Sequence, residues 1–439
     1  MDQPQRNRSR FIVLAALLAV LAGTIATCGP GASPPVPSPT GPTPSVTVPF
    51  EMPVVVTLAG YFDDQTLALL DDLVARFEAA NPDILVEVIT AERDASARRE
   101  AWAGYLAAGD SSRDIYVISS HWLAELAAGD GLLALDSYLP APGLARDDLL
   151  AAAIEAATID GRLMALPWTV DGGLLYYRRD LLVRHGHQPP ATWPALAGMA
   201  RDVLAAQPDL PQGYVWQGAA YEGLTCNTLE FVWAFGGTVL DEEGEAAFDN
   251  PETRAALAEM QHLLDGGISP PEVAGYREAA SLGAFQNGQT LFMRNWSYAW
   301  DRLNASGAPL AGQVGIAPLP ASCLGGQSLA LSASSLHPAQ AFRFMAYLAG
   351  HEQQARLALD GVQPPARATV YGDEAVLAED PALADIYSAL ATARPRPRSA
   401  RYGAISQVLY TQVNAMLRGE QDPAATAASI QAGLEEVLP

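Results

Sequence analysis

The chain has 439 residues, 49% of them hydrophobic and 17% charged, and a formal net charge of −23. That length suits about two to three domains or one two-lobed body, and the composition is that of a folded chain, not a disordered one. So acidic a surface, with no basic patch against it, argues against nucleic acid as a partner, and the absence of lysine (all 26 basic residues are Arg) excludes P-loop and Schiff-base lysine chemistry.

Arg6, Arg8 and Arg10 precede an apolar run from Phe11 to Ala26. The run is short for a membrane span and suits the core of a secretion signal, so residues 1–27 are expected to be a leader. Ile25-Ala26-Thr27-Cys28 resembles the bacterial lipoprotein signal, which implies cleavage before Cys28 and lipidation of its thiol. Thr27 departs from the small residue usual there, and an uncleaved anchor helix is the alternative. Either way the remainder lies outside the cytoplasm, at the membrane's outer face or in a periplasm. Gly29 to Phe50 holds eight prolines among Ser, Thr and Gly, so 28–51 reads as an extended tether.

From Met52 the pattern changes. Val54 to Leu58 and Ile84 to Ile89 read as buried strands, and Asp114 to Ser119 as a third. Between them Gln65–Ala80 and Ala95–Ala108 read as helices, the first stopped by Asn81-Pro82, and Trp122–Ala128 as another. Alternation of this kind predicts an α/β fold with a mostly parallel sheet, and ligand sites beyond the strands' carboxyl ends. Those ends are the loops at Gly60–Asp64, Thr90–Arg98 and Ser119–Trp122.

Gly161 to Arg178 reads as two strand segments joined through Pro167 and Gly172-Gly173. Asp171 lies among apolar neighbours, so its ionised form needs a donor: a solute hydroxyl or a backbone amide. Thr192 is a candidate N-cap, and Tyr214 to Glu230 is rich in aromatic and polar residues. Phe285 to Trp300 opens with an Asn287-Gly288 turn, continues as a strand at Leu291-Phe292-Met293, and ends in Arg294, Asn295, Trp296, Tyr298 and Trp300. Aromatic faces lie on the C–H faces of sugars, and Asn and Arg bond their hydroxyls; core aromatics are the other reading of the same residues. Ala341, Phe344, Met345 and Leu348 mark an amphipathic helix, and a last helix starts near Ile405.

The six histidines supply no metal-ligand set: His185-Gly186-His187 lacks a third ligand and His351-Glu352 lacks a second histidine. No nucleophile elbow or dinucleotide fingerprint occurs, so neither catalysis nor a cofactor is expected. Cys226 and Cys323 remain as an even pair outside the cytoplasm and are expected to form a disulfide, with two buried free thiols as the alternative.

Taken together, L-P-W-T-V-D-G-G-L-L-Y-Y-R-R-D-L-L, Y-V-W-Q-G-A-A-Y-E-G-L-T-C, F-M-R-N-W-S-Y-A-W, V-G-I-A-P-L-P and L-G-G-Q resemble the bacterial extracellular solute-binding proteins of ABC importers, in the trehalose/maltose branch. The resemblance implies a monomeric two-lobed clamshell with hinge crossovers, closing on a mono- or oligosaccharide for a membrane permease. It implies one lobe from 52–170 and 322–366 and another from 171–321 and 367–439. By the same resemblance Asp171, Arg98 and Arg396 would make polar contacts, Trp296 and Tyr298 would stack on rings, and Gly326 would sit beside the second cleft aromatic. Gln327 stands where the family often has Trp, and Ser119 where it often has Asp, which puts the identity of the sugar in play. A sensory or adhesion receptor for sugar, and a carbohydrate hydrolase, are the rival classes.

Overall fold

The computed structural model describes residues 52–438. The expected leader at 1–27, the tether at 28–51 and Cys28 lie outside these residues. Among the described residues no helix is long and apolar enough to cross a membrane.

Twelve strands occur along the described chain: β1 (Val54–Gly60), β2 (Ile84–Thr90), β3 (Ile115–Ser119), β4 (Thr158–Ile159), β5 (Arg162–Leu163), β6 (Leu166–Gly172), β7 (Leu174–Arg178), β8 (Gln212–Val215), β9 (Thr290–Asn295), β10 (Val314–Pro318), β11 (Ser322–Leu331) and β12 (Ala393–Arg394). They build two main sheets. The first runs β12-β11-β3-β1-β2, with β6 also on β11; the second runs β10-β7-β9-β8. β1 pairs in parallel with β2 and β3, as the alternation predicts. The expectation of a mostly parallel sheet does not extend further. β11 is antiparallel to both β3 and β6, and β7 is antiparallel to β9 and β10. The reason is chain return: β11 enters the first sheet from the second, against the direction of β3.

Local signals explain the helices. Asp63 caps Asp64–Ala80 by accepting Thr66 N–H at 2.9 Å, and Asn81 closes it through Nδ2 to Phe77 O. Such a cap contributes about 1 kcal/mol. Leu69, Leu70, Leu73 and Phe77 form its buried stripe. Thr192 caps Trp193–Ala206 through Ala195 N–H. Ala341, Phe344, Met345 and Leu348 are all buried on the helix Pro338–Leu348.

Two apolar cores underlie the fold, the first drawing also on Tyr176, Met293 and Ile316 of the second sheet. One collects Leu58, Phe77, Ile118, Trp168, Phe344 and their neighbours; the other collects Trp193, Tyr214, Trp216, Phe231, Phe292 and the helices Tyr402–Leu417 and Pro423–Val437. The chain passes from the first sheet to the second at Gly172-Gly173 and returns between Pro318 and Ser322. The segment after 366, expected wholly with the second lobe, is shared. Val370, Tyr371, Val376 and Leu383 pack on Ala358 of the helix His351–Leu359, whereas Ala382–Leu390 also packs along β10. Burying both faces of this segment needs both lobes.

Candidate functional site

The ends of β6, β9 and β11 meet where the chain changes lobe. Asp171, the penultimate residue of β6, is paired with Gly325 of β11, and only 9% of its surface is accessible. Its Oδ1 accepts Gly172 N–H at 2.8 Å and Ser297 N–H at 3.1 Å, so the backbone-amide solution to its burial is the one used. The Ser297 side chain also lies close enough to favour the carboxylate's charged form. Burial pushes the carboxyl up to about 6, against the pull of the Ser297 and Gly172 amides.

Trp296 follows β9 and is half-buried. A Cβ built on Gly325 would lie 3.2 Å from Trp296 Cζ3, so the indole edge abuts β11 of the other lobe next to Asp171. Its ring lies 4.0 Å from the Arg294 guanidinium, and Nε1 points to Glu278 Oε1 at 3.4 Å. Tyr298 is half-buried, with the Arg302 guanidinium 4.9 Å from its ring; burial first, then Glu278, pushes its hydroxyl up to about 12.

Arg294 and Asn295 do not face a solute. Arg294 is fully buried, bonds Glu230 through Nε and Nη2, and donates from Nη1 to Gln217 at 3.2 Å. Asn295, also fully buried, donates to Glu278 O and accepts Trp296 N–H at 2.9 Å. These two build the floor beneath the aromatic residues. A buried Arg needs a carboxylate, and here Glu230 supplies it from the helix Glu222–Ala234. Gly173 makes room for that pair, because a Cβ there would meet Glu230 Oε1 at 1.9 Å.

On the first lobe, Ser119 at the end of β3 is paired in register with Gln327 of β11, and both are half-buried. The Gln327 backbone N–H donates to Thr169 Oγ1 at 3.0 Å. Gly326 has φ +104, and a Cβ there would lie 2.3 Å from Thr169 O; the pairing with β6 shifts by one residue just beyond, between Gln327 and Ser328. Only glycine lets β11 take this positive φ so close to the β6 backbone. Tyr61, Trp168, Thr169, Gln327 and Gln363 surround a small cavity of about 100 Å³ on this side.

Arg98 donates Nη1 to Glu92 O at 2.6 Å and Arg93 O at 3.2 Å, with Tyr61 and Trp122 rings 5.5 and 5.3 Å from its guanidinium. It ties together the loops after β1, β2 and β3. Its Nε and Nη2 make no hydrogen bond to the described residues. Arg396 is spent more completely: Nη1 bonds Glu222 Oε1 at 2.8 Å and Nη2 bonds Leu324 O at 2.9 Å. Glu222 also accepts from Tyr402 and Ser406, so Arg396 joins β11 to the second lobe and offers no free Nη in this arrangement.

The expected Cys226–Cys323 disulfide is not formed in this structure: the two are buried thiols, the Cys323 thiol donating to Cys226 Sγ at 2.9 Å. Glu278, Glu222 and Tyr402 carried no sequence signal as site residues, because each acts through a partner distant in sequence. Tyr61 was flagged only as part of a loop.

A model of the family described as bacterial extracellular solute-binding protein matches residues 63–355. A probable ABC transporter-binding protein of Deinococcus radiodurans is 33% identical over 367 residues, 80% of this chain and 86% of that protein. The mannitol-binding protein of Pseudomonas aeruginosa is 28% identical over 322 residues, 70% of this chain and 72% of that protein. Among solved structures, maltose-bound MalE3 of T. maritima matches with a TM-score of 0.75 and 34% identity, covering 88% of this chain and 100% of that one. With two α/β lobes joined at Gly172-Gly173 and again before Ser322, the chain belongs to the bacterial extracellular solute-binding proteins.

Proposed function

We propose that the protein captures a saccharide or polyol between its lobes and delivers it to the membrane permease of an ABC importer, tethered through a lipid on Cys28. On this reading the lobes divide near residues 171 and 321, the segment after 366 serves both, and the protein works by binding and closure as a monomer. The observation that carries it is the Asp171 carboxylate. One oxygen is fixed by the Gly172 and Ser297 amides from the two lobes, and the carboxylate lies next to the edge of the half-buried Trp296 across Gly325. An aromatic face with a fixed acceptor beside it suits a ring or chain bearing C–H faces and hydroxyls. Maltose and mannitol, named for the relatives, are the first solutes to try.

Isothermal titration against glucose, maltose, trehalose, tagatose and mannitol tests the reading. One of them should bind, and Trp296→Ala should weaken it several-fold or more, at about 1 kcal/mol per lost stack. Silence across the panel would remove the saccharide reading. Anchoring is read separately: Cys28→Ser should move the protein from the detergent phase to the aqueous phase.

A further inference from the structure

The lobes also touch beside the turn that follows β3. That turn, Ser120–Trp122, sets the His121 ring 5.6 Å from the Tyr402 ring, edge to face, at the start of the helix Tyr402–Leu417. One residue further, a Cβ built on Gly403 would lie 3.4 Å from Arg99 Nη1 and 3.8 Å from Glu125 Oε2, two first-lobe side chains that pair with each other. Arg396 closes this seam, held by Glu222 of the second lobe and by Leu324 O.

His121, Leu324 and Arg396 share a cavity of only about 10 Å³ with Ser120, Ala124 and Pro395. It has room for at most a single water. His121 Nδ1 and Arg396 Nε are both sealed without a partner. Among the described residues no carboxylate lines the cavity. The carboxylates nearby are already engaged: Glu125 with Arg99, Glu222 with Arg396, and Glu155 with Arg398 at 3.8 Å. The imidazole therefore faces Arg99 from the helix Ala95–Ala107, Arg396 and Arg398 from the closing segment, and the Tyr402 ring, whose hydroxyl burial keeps protonated. A second proton on His121 would add a cation among three guanidinium groups with no free anion to meet it. Burial first, then the Arg396 and Arg99 charges, holds the imidazole well below its ordinary range. Parting the lobes brings the ring to water, where that range is centred near about 6.5.

We propose that this seam is an acid-sensitive latch: it closes only while His121 is neutral, so protonation of His121 parts the lobes and releases the solute. The inference rests on the reading that the lobes close on a saccharide or polyol. The closed form binds fewer protons than the open one. Affinity should therefore fall as pH drops below about 6.5, by up to about ten-fold per pH unit for one proton. Asp171 pulls in the same direction, through the solute and not through the seam, so the two must be separated.

Titration calorimetry with maltose and mannitol, on the full chain in a detergent without a sugar headgroup, separates them between pH 5 and 7.5. His121→Gln, neutral throughout, should match the parent at pH 7.5 and bind at least about five-fold tighter than the parent at pH 5. Arg99→Gln keeps the histidine but removes a facing charge and frees Glu125, so it should flatten the fall as well. If both variants lose affinity as steeply as the parent, the latch falls and the solute reading stands, with the pH dependence left to Asp171. If neither solute binds at pH 7.5, the saccharide reading loses its support, and the latch is read from the distance between spin labels on Leu85→Cys in the first lobe and Val183→Cys in the second, both exposed. That distance should lengthen from pH 7.5 to pH 5 in the otherwise unchanged chain and stay constant with His121→Gln. A constant distance in both overturns the latch.

Discussion

The Arg294 guanidinium lies 4.0 Å from the Trp296 ring while it is fully buried against Glu230, whose Oε1 also accepts Cys323 N–H from the other lobe at 3.1 Å. The aromatic face offered to a solute is therefore fixed from behind by an ion pair that also joins the lobes.

Breaking this pair from one side leaves a buried charge. Arg294→Leu should cost about 3–5 kcal/mol of stability. Glu230→Gln, which keeps the acceptor oxygen for Cys323 N–H, should unfold at lower denaturant concentration than the parent but bind more tightly than Arg294→Leu. Chemical denaturation with a parallel titration checks both.

Asp171 makes folding and binding depend on pH with opposite sign. Its carboxyl is raised from 3.8 to about 6, so between these values the native state holds more protons than the unfolded chain. Stability of the empty protein should therefore fall as pH rises through about 4 to 6, by on the order of 2–3 kcal/mol. Asp171→Asn keeps an acceptor for both amides and should flatten that slope. A solute hydroxyl donating to Oδ2 favours the ionised form, so affinity should fall as pH drops below about 6. Melting curves and titrations from pH 4.5 to 7.5 read the two trends.

Cys226 and Cys323 should form one bridge in protein recovered from an oxidising compartment. Cys226 belongs to the helix Glu222–Ala234 and Cys323 to β11, so the bridge would link the lobes beside the crossover. Burial, then the bond to Cys226, pushes the Cys323 thiol well up, so the reduced pair should resist alkylation until the protein unfolds. Mass spectrometry without reductant should find the chain lighter by two hydrogens. Two thiols alkylated after unfolding would show that the pair stays reduced.

Gly326→Ala forces a side chain to within 2.3 Å of Thr169 O at φ +104. β11 has to shift away from β6 there, moving Gln327 and the Ser119 pairing with it. The expected cost is about 1–3 kcal/mol, with weaker solute binding than in Gly325→Ala. Thermal unfolding and titration of the two variants make the comparison.

Much of the local structure was readable in advance. Asn81-Pro82 stopping a helix, Thr192 starting one and the four-residue apolar stripe at Ala341–Leu348 act over a few residues, so their consequences appear in a short window of sequence. Asp171 was visible as a carboxylate in apolar surroundings that needs a donor. The pattern could not say that the donors would be Gly172 and Ser297 N–H, since Ser297 is 126 residues away. Arg294 and Arg396 were misleading for the same reason. An arginine beside aromatic residues looks free in a linear sequence, whereas the carboxylates that neutralise these two come from the helix Glu222–Ala234.

The sequence by itself determined the alternation of strands and helices, the caps and breakers, the acidic surface and the set of motifs that marks the family. These depend on intrinsic propensity, periodicity and composition. Only the tertiary structure decided which polar groups remain open to a solute. That depends on which buried donors and acceptors find partners once the two lobes are in contact, so Arg294, Asn295 and Arg396 became structural while Asp171 kept its carboxylate beside Trp296.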